Sequence, residues 1–196
     1  MLSDHWLQRW LPLLREQAAD MPVLEIGCGP GDDTATLTAA GLDVRAFDIS
    51  ADAVAAARRR APAADIRCQD IRDPFPLGAG TAGAVVASLS LHYFPWQETL
   101  ALVERVHRTL RPGGLLLCRL NSTEDRHFGA TGHPAIEPHY YRVDGQPKRF
   151  FDAADLDRLF ASGWERIAQE HLHTRKYLRS KALWETVLRR AATAGS

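Results

Sequence analysis

At 196 residues, with 45% hydrophobic side chains and 24 basic groups balanced by 24 acidic ones, the chain suits a single α/β unit over residues 1–196 and gives no broad electrostatic case for nucleic-acid binding. No apolar run approaches the ~18 residues of a membrane-spanning helix, and Met1-Leu2-Ser3-Asp4-His5 carries acid where a secretory signal carries base, so a cytoplasmic setting without membrane contact is expected. Cys28, Cys68 and Cys118 fall at or near predicted strands without paired spacing, which points to reduced, buried thiols.

Trp6, Leu7, Trp10, Leu11 and Leu14 recur at helical spacing. They predict a leading helix within residues 1–20 that packs on the sheet or folds over a ligand. Next, the apolar strand Val23-Leu24-Glu25-Ile26 runs straight into Gly27, Gly29 and Gly31 at alternate positions. Such a turn leaves the main chain open to a ligand, or is simply a tight strand-to-helix connection. A dinucleotide fingerprint needs its third glycine where Asp32 stands, and no Gly-Lys-Ser/Thr follows for a phosphate loop.

A second strand, Val44–Phe47, ends in Asp48, about twenty residues past the first glycine, where a carboxylate can accept from both ribose hydroxyls or else cap the helix from Ser50. A third, around Ile66–Gln69, delivers Asp70 and Ile71 to the same edge; Asp70 and Asp73 can also shape a turn. A fourth, Ala84–Ser88, leads into Ser88-Leu89-Ser90-Leu91-His92-Tyr93-Phe94. A helix bearing Leu102, Val103, Val106 and Leu110 follows, closed by Arg111-Pro112-Gly113-Gly114 and the strand Leu115–Leu120. Acidic and polar residues thus gather at the carboxyl ends of successive strands, the edge where open parallel sheets bind ligands.

From Asn121 to Pro147 periodicity fades, and a long loop is expected. With its flanks it forms an insertion over residues 121–150 that reads as a substrate lid, with His139, Tyr140, Tyr141 and Arg149 as candidate acceptor contacts. Asp152 reads as the N-cap of a helix from Ala153 to Ala161, ended by Gly163. A strand is expected from Trp164 to His173, and Ala182–Arg189 fits either a last strand or a helix. His171 and His173 would share a strand face, but with no third ligand nearby in sequence no metal is expected. The cluster Arg175, Lys176, Arg179, Lys181, Arg189 and Arg190 reads as a solvated basic face.

Glu25 to Gly31, an acidic residue followed by Gly-x-Gly-x-Gly between strand and helix, resembles the first motif of the class I S-adenosylmethionine-dependent methyltransferases. The order of elements over residues 20–120 resembles that family too. The wording around Glu137-Pro138-His139-Tyr140-Tyr141 and Arg149-Phe150-Phe151 is similar to small bacterial methyltransferases of the methyltransferase-domain and tellurite-resistance type. The resemblance implies a Rossmann-like doubly wound sheet of seven strands, mostly parallel with an antiparallel last strand. It implies S-adenosylmethionine as cofactor, S-adenosylhomocysteine as product, and a leading helix that caps the pocket. It assigns Glu25, Gly27, Cys28, Gly29 and Gly31 to the cofactor turn, Asp48 and Ile49 to the ribose, Asp70 and Ile71 to the adenine, and Ser88 and Ser90 to the methyl-donor end. His92 becomes the first candidate for a general base and Tyr93 the second. The Asn/Asp-Pro-Pro-Tyr/Phe motif of the branches that methylate nucleic-acid bases and protein glutamine is not present after the fourth strand, so a small-molecule acceptor is expected. A cofactor-binding module without turnover, a methyltransferase acting on RNA or protein, and a nicotinamide oxidoreductase remain as other readings.

Overall fold

The computed structural model describes residues 5–18, 20–174 and 180–192. A 3₁₀ turn over Trp6–Trp10 leads into α1 (Leu11–Gln17), where a single longer helix was expected. Then come β1 (Val23–Ile26), α2 (Asp32–Ala39), β2 (Val44–Asp48), α3 (Ala51–Arg60), β3 (Asp65–Cys68), β4 (Ala82–Ser88), α4 (Trp96–Thr109) and β5 (Leu110–Asn121). After these follow three short strands, β6 (Ala135–Glu137), β7 (Tyr140–Val143) and β8 (Gln146–Arg149), then α5 (Ala153–Leu159), β9 (Trp164–Thr174) and β10 (Lys181–Arg190).

Seven strands form one sheet in the order β3-β2-β1-β4-β5-β10-β9. β1 runs parallel to β2 and β4, β2 to β3 and β4 to β5, while β10 pairs antiparallel with β5 and β9. The order reverses between β1 and β4, which makes their carboxyl ends the crevice of the fold. Sequence reasoning left the last segment open between strand and helix; it is a strand, because Leu183 to Arg189 find backbone partners along β5 from Asn121 to Leu115.

Both faces of the central strands are buried, which explains their continuous apolar runs. The period of two sorts them. Val23, Val44, Ala84, Val86, Leu115 and Leu117 pack with Leu14, Leu37 and Val54 of α1 to α3. Leu24, Ile26, Val85, Leu116, Cys118 and Leu120 pack with Val103, Val106 and Leu156 of α4 and α5.

Several expectations are corrected. Residues 121–149 are not a structureless loop: β6, β7 and β8 form a separate antiparallel meander, stapled by a small core of Val143, Phe150 and Ala130. α5 begins as expected, with a capping box between Asp152 and Asp155, but stops at Leu159. Of the cysteines, Cys28 and Cys118 are buried whereas Cys68 is exposed, because β3 is an edge strand. The basic stretch is not one solvated face. Arg175, Lys176 and Arg179 lie outside the described residues, and Lys181 is an interior group whose Nζ meets Asp125 at 3.1 Å. Among the described residues no helix is long and apolar enough to cross a membrane.

Candidate active site

β1 carries Glu25 and Ile26 to the crevice, and the chain must then turn into α2 within five residues. It does so with Gly27 and Gly31 at φ +71° and +87°. A Cβ at Gly27 would lie 2.6 Å from Cβ of Ser90, and one at Gly31 would lie 2.7 Å from Cα of Ala57. The loop is therefore squeezed between the segment after β4 and the helix α3, and only glycine fits. Asp48, at the carboxyl end of β2, accepts from the Gly29 N–H at 2.9 Å and from the Ser50 N–H at 2.9 Å. One carboxylate thus ties the glycine turn to the start of α3; Ser50 itself caps that helix through Ala53 N–H.

These elements border a cleft of about 760 Å³. Its floor is Gly27, Cys28 and Gly29; one end holds Asp48, Ile49, Asp70 and Ile71, and the other Ser88, Ser90 and Tyr93. Ile49 is 69% exposed at this wall, an apolar surface suited to a flat ring. Ser90 Oγ is buried with no hydrogen-bond partner among the described residues. Leu89 before it adopts φ +56°, a conformation costly for a branched side chain and characteristic of functional turns. An orphaned hydroxyl, a glycine cradle and a strand-end carboxylate along one groove fit an adenosyl group with an amino-acid tail.

Glu25 lies buried beneath the turn, accepting from Thr34 Oγ1 at 2.6 Å. Burial pushes its carboxyl up to about 8, the bond from Thr34 opposing this and the charges of Asp33, Asp48 and Asp32 adding to it. The folded state then keeps a proton that the unfolded chain releases, so stability falls as pH rises from the ordinary carboxylate range toward 8. Glu25→Gln should remove this slope. By urea denaturation, wild type is expected to lose about 2–5 kcal/mol relative to the variant between about pH 5 and about pH 9. A difference that stays flat with pH would show that Glu25 does not titrate this way.

Of the residues singled out from sequence, Glu25, Gly27, Cys28, Gly29, Asp48, Ile49, Asp70, Ile71, Ser88, Ser90 and Tyr93 all line the cleft, and Gly31 shapes the turn just behind it. His92 does not. Its imidazole is buried, Nδ1 meets no partner among the described residues, and burial, aided by Lys181 and Lys148, holds it well below its ordinary value. It packs behind Tyr93, ring centroids 4.1 Å apart. The expected acceptor contacts are likewise engaged elsewhere. His139 Nδ1 sits 2.7 Å from Asp155 Oδ2, and Tyr141 packs on Phe150. Tyr140 and Arg149 grip the chain after β4: Arg149 N–H donates to His92 O at 2.7 Å, Tyr140 Oη to Tyr93 O at 2.9 Å, and Arg149 Nε to Phe94 O at 3.1 Å. Three successive carbonyls are thus pinned by the meander, and it is Gln146 and Pro147, on the β8 side, that reach the cleft.

Sequence reasoning missed Arg119. It is a lone cation in the apolar run of β5, which is the signal that could have revealed it. Its side chain lines the cleft, donates through Nε and Nη2 to Ser88 Oγ at 2.9 and 2.7 Å, and lies 4.5 Å over the Trp6 ring. Trp6 Nε1 donates to the Asp33 carboxylate at 2.9 and 3.1 Å, which fixes the 3₁₀ turn across this end of the cleft. His171 and His173 stand 5.3 Å apart, with His171 hydrogen-bonded to Ser122. His139, Asp152 and Asp155 bring ligand-type atoms within 4.8 Å of one another, but the two carboxylates cap α5.

A family model described as a methyltransferase domain matches residues 23–114. The chain is 34% identical over 138 residues to a trans-aconitate 2-methyltransferase of Mycolicibacterium gilvum, covering 68% of this chain and 50% of that protein. It is 37% identical over 138 residues to a malonyl-[acyl-carrier protein] O-methyltransferase of Enterobacter lignolyticus, covering 69% and 51%. The chain therefore spans about half the length of these curated relatives. Among solved structures, a SAM-dependent methyltransferase from Methanosarcina mazei superposes with a TM-score of 0.74 at 15% identity, over 93% of this chain and 98% of that one, a likeness of fold.

Proposed function

Because the chain belongs to the class I S-adenosylmethionine-dependent methyltransferases, we propose that it transfers a methyl group from S-adenosylmethionine to a small-molecule nucleophile. The observation that carries this reading is the placement of Asp48, Ile49, Asp70 and Ile71 at one end of a single cleft and the orphaned Ser90 hydroxyl at the other. Asp48 holds the ribose hydroxyls, Ile49 and Ile71 flank the adenine, and Asp70 receives its amino group. Gly27 and Gly29 let the ligand lie on the main chain, and Ser90 hydrogen-bonds at the methyl-donor end.

S-adenosylmethionine supplies an electrophilic methyl group on a sulfonium sulfur. The protein's part is to align the acceptor and exclude water. Tyr93, Gln146 and Pro147 form the acceptor wall, and the pinned carbonyls of residues 92–94 keep Tyr93 in place. Residues 121–150 therefore act as a docked wall of the acceptor site. The 3₁₀ turn Trp6–Trp10 caps the pocket through Trp6. His92 serves as packing for Tyr93. The names of the relatives, which concern trans-aconitate and malonyl-[acyl-carrier protein], support acceptors outside nucleic acid.

Calorimetric titration with S-adenosylmethionine, S-adenosylhomocysteine and NADH tests the assignment. The two adenosyl ligands are expected to bind in the micromolar range. Asp48→Ala should weaken both by at least about tenfold, one charge-assisted hydrogen bond contributing about 1.5–3 kcal/mol. Binding of NADH alone, or of none of the three, would refute it.

A further inference from the structure

Asp70 and Ile71 reach the cleft on a turn and not on a strand, since β3 ends at Cys68. Within this turn, Asp70 Oδ1 accepts from the Arg72 N–H at 2.8 Å and Asp70 O from the Asp73 N–H at 3.1 Å. Gln69 Nε2 closes it on Pro74 O at 2.9 Å. Asp70 Oδ2 stands 3.7 Å from the Arg72 guanidinium, at the cleft wall. These contacts fix the shape of the turn but not its height against the sheet.

Arg105 supplies the missing restraint. It projects from α4, which Val103 and Val106 seat on the sheet, and it does not line the cleft itself. Its guanidinium donates through Nη2 to Ile71 O and through Nη1 to Arg72 O at 3.1 Å, and lies 4.0 Å over the Phe75 ring. Its Nε is buried with no partner among the described residues. Burial and the charge of Arg108 push its pKa down, Asp73 opposing them. A desolvated cation with an orphaned donor is a poor way to gain stability. What it achieves is to hold two successive carbonyls of the turn from a rigid helix. The other tie from this turn to α4, Arg72 to Glu98 at 2.6 Å, lies at the surface, where such pairs contribute little.

We infer that Arg105 is a positioning residue for recognition of the cofactor's base: it sets the height of the turn, so that Asp70 meets the exocyclic amino group of adenine and Ile71 lies against the ring. This rests on the methyltransferase reading above, in which Asp70 and Ile71 hold the adenine. Adenine presents an N–H₂ group to the carboxylate; hypoxanthine presents a carbonyl oxygen, which a carboxylate repels. A site built to bond an N–H rejects the analogue that lacks it. Hydrogen bonds weaken steeply when misaligned, so the discrimination depends on where the turn sits.

The test titrates the whole chain with S-adenosylhomocysteine and with its deaminated counterpart, S-inosylhomocysteine. Wild type is expected to prefer the adenosyl ligand by about 30-fold. Arg105→Met should weaken S-adenosylhomocysteine about tenfold and leave S-inosylhomocysteine within about threefold, so that the preference falls to about threefold. Arg105→Lys, which keeps the stem and the charge, should fall between the two, and decides alone if Arg105→Met does not fold. Asp48→Ala, at the ribose end, should weaken both ligands and leave their ratio as in wild type. A ratio unchanged in the folded Arg105 variants, even with both ligands weakened, would reduce Arg105 to structural support and overturn the proposal. So would a wild type that does not discriminate, or a ratio that collapses equally in Asp48→Ala. Binding of neither ligand by wild type would instead remove the methyltransferase reading itself, and the proposal with it.

Discussion

Gly27→Ala is expected to lower the unfolding free energy by about 2–5 kcal/mol and to weaken S-adenosylhomocysteine binding by about 100-fold or more. Two costs combine. A side chain at φ +71° carries strain of about 1–2 kcal/mol, and the added methyl would meet Cβ of Ser90 at 2.6 Å. Ser90 follows the already strained Leu89 and lines the cleft, so relief has to come from moving the turn or the segment after β4. Either shift misplaces groups on both sides of the ligand. Gly41→Ala is the control: φ is +85° there too, but nothing lies within 4 Å of the added atom, so strain alone should appear and ligand affinity should not change. Urea melts and calorimetry on the pair decide the matter. If Gly27→Ala binds as wild type does, the turn does not carry the ligand.

Arg149→Ala should cost about 3–5 kcal/mol and loosen the acceptor end of the cleft. The guanidinium is buried between Tyr140 and Trp96, ion-paired with Glu137, and donates to the carbonyls of Phe94 and Pro138. Glu137 in turn accepts from the Trp96 N–H at 3.0 Å, serving a helix start that has no side-chain cap of its own. Deleting the arginine strands these groups and leaves a void. Arg149→Lys keeps the charge but not the fork, and should recover only part of the loss. Limited proteolysis should open first within residues 129–149 in both variants. A melt of Arg149→Ala within 1 °C of wild type, about 0.4 kcal/mol for a domain of this size, would show that the clamp is dispensable.

The alanine variants touch regions that differ in how far sequence could reveal them. Asp48 and Gly27 were readable because local rules govern them: a strand ends, the chain must reverse, and glycine is what tolerates that backbone. The meander of β6 to β8 was not. Its strands are three or four residues long, one with Pro147 inside it, too short for a period to register. Tyr140 and Arg149 attracted notice as chemical groups, and they are important, but as clamps on residues 92–94 and not as cleft residues.

The sequence by itself determined the alternation of strand and helix, the glycine turn and the acidic residues at successive strand ends, while the doubly wound sheet and its cofactor edge were implied by the family resemblance that those features carry. The three features follow from nearest-neighbour stereochemistry and from apolar periodicity, which act within a few residues. Only the tertiary structure decided which side chains face the cleft beyond that edge. A period of two says that Leu120 and Arg119 point to opposite sides, not what each will meet. Arg119 reaches the cleft because Trp6 is brought onto it from 113 residues away, and His92 is shut out because β7 and β8 dock over its carbonyls. Such pairings are set by long-range packing, whose energy no local window of sequence contains.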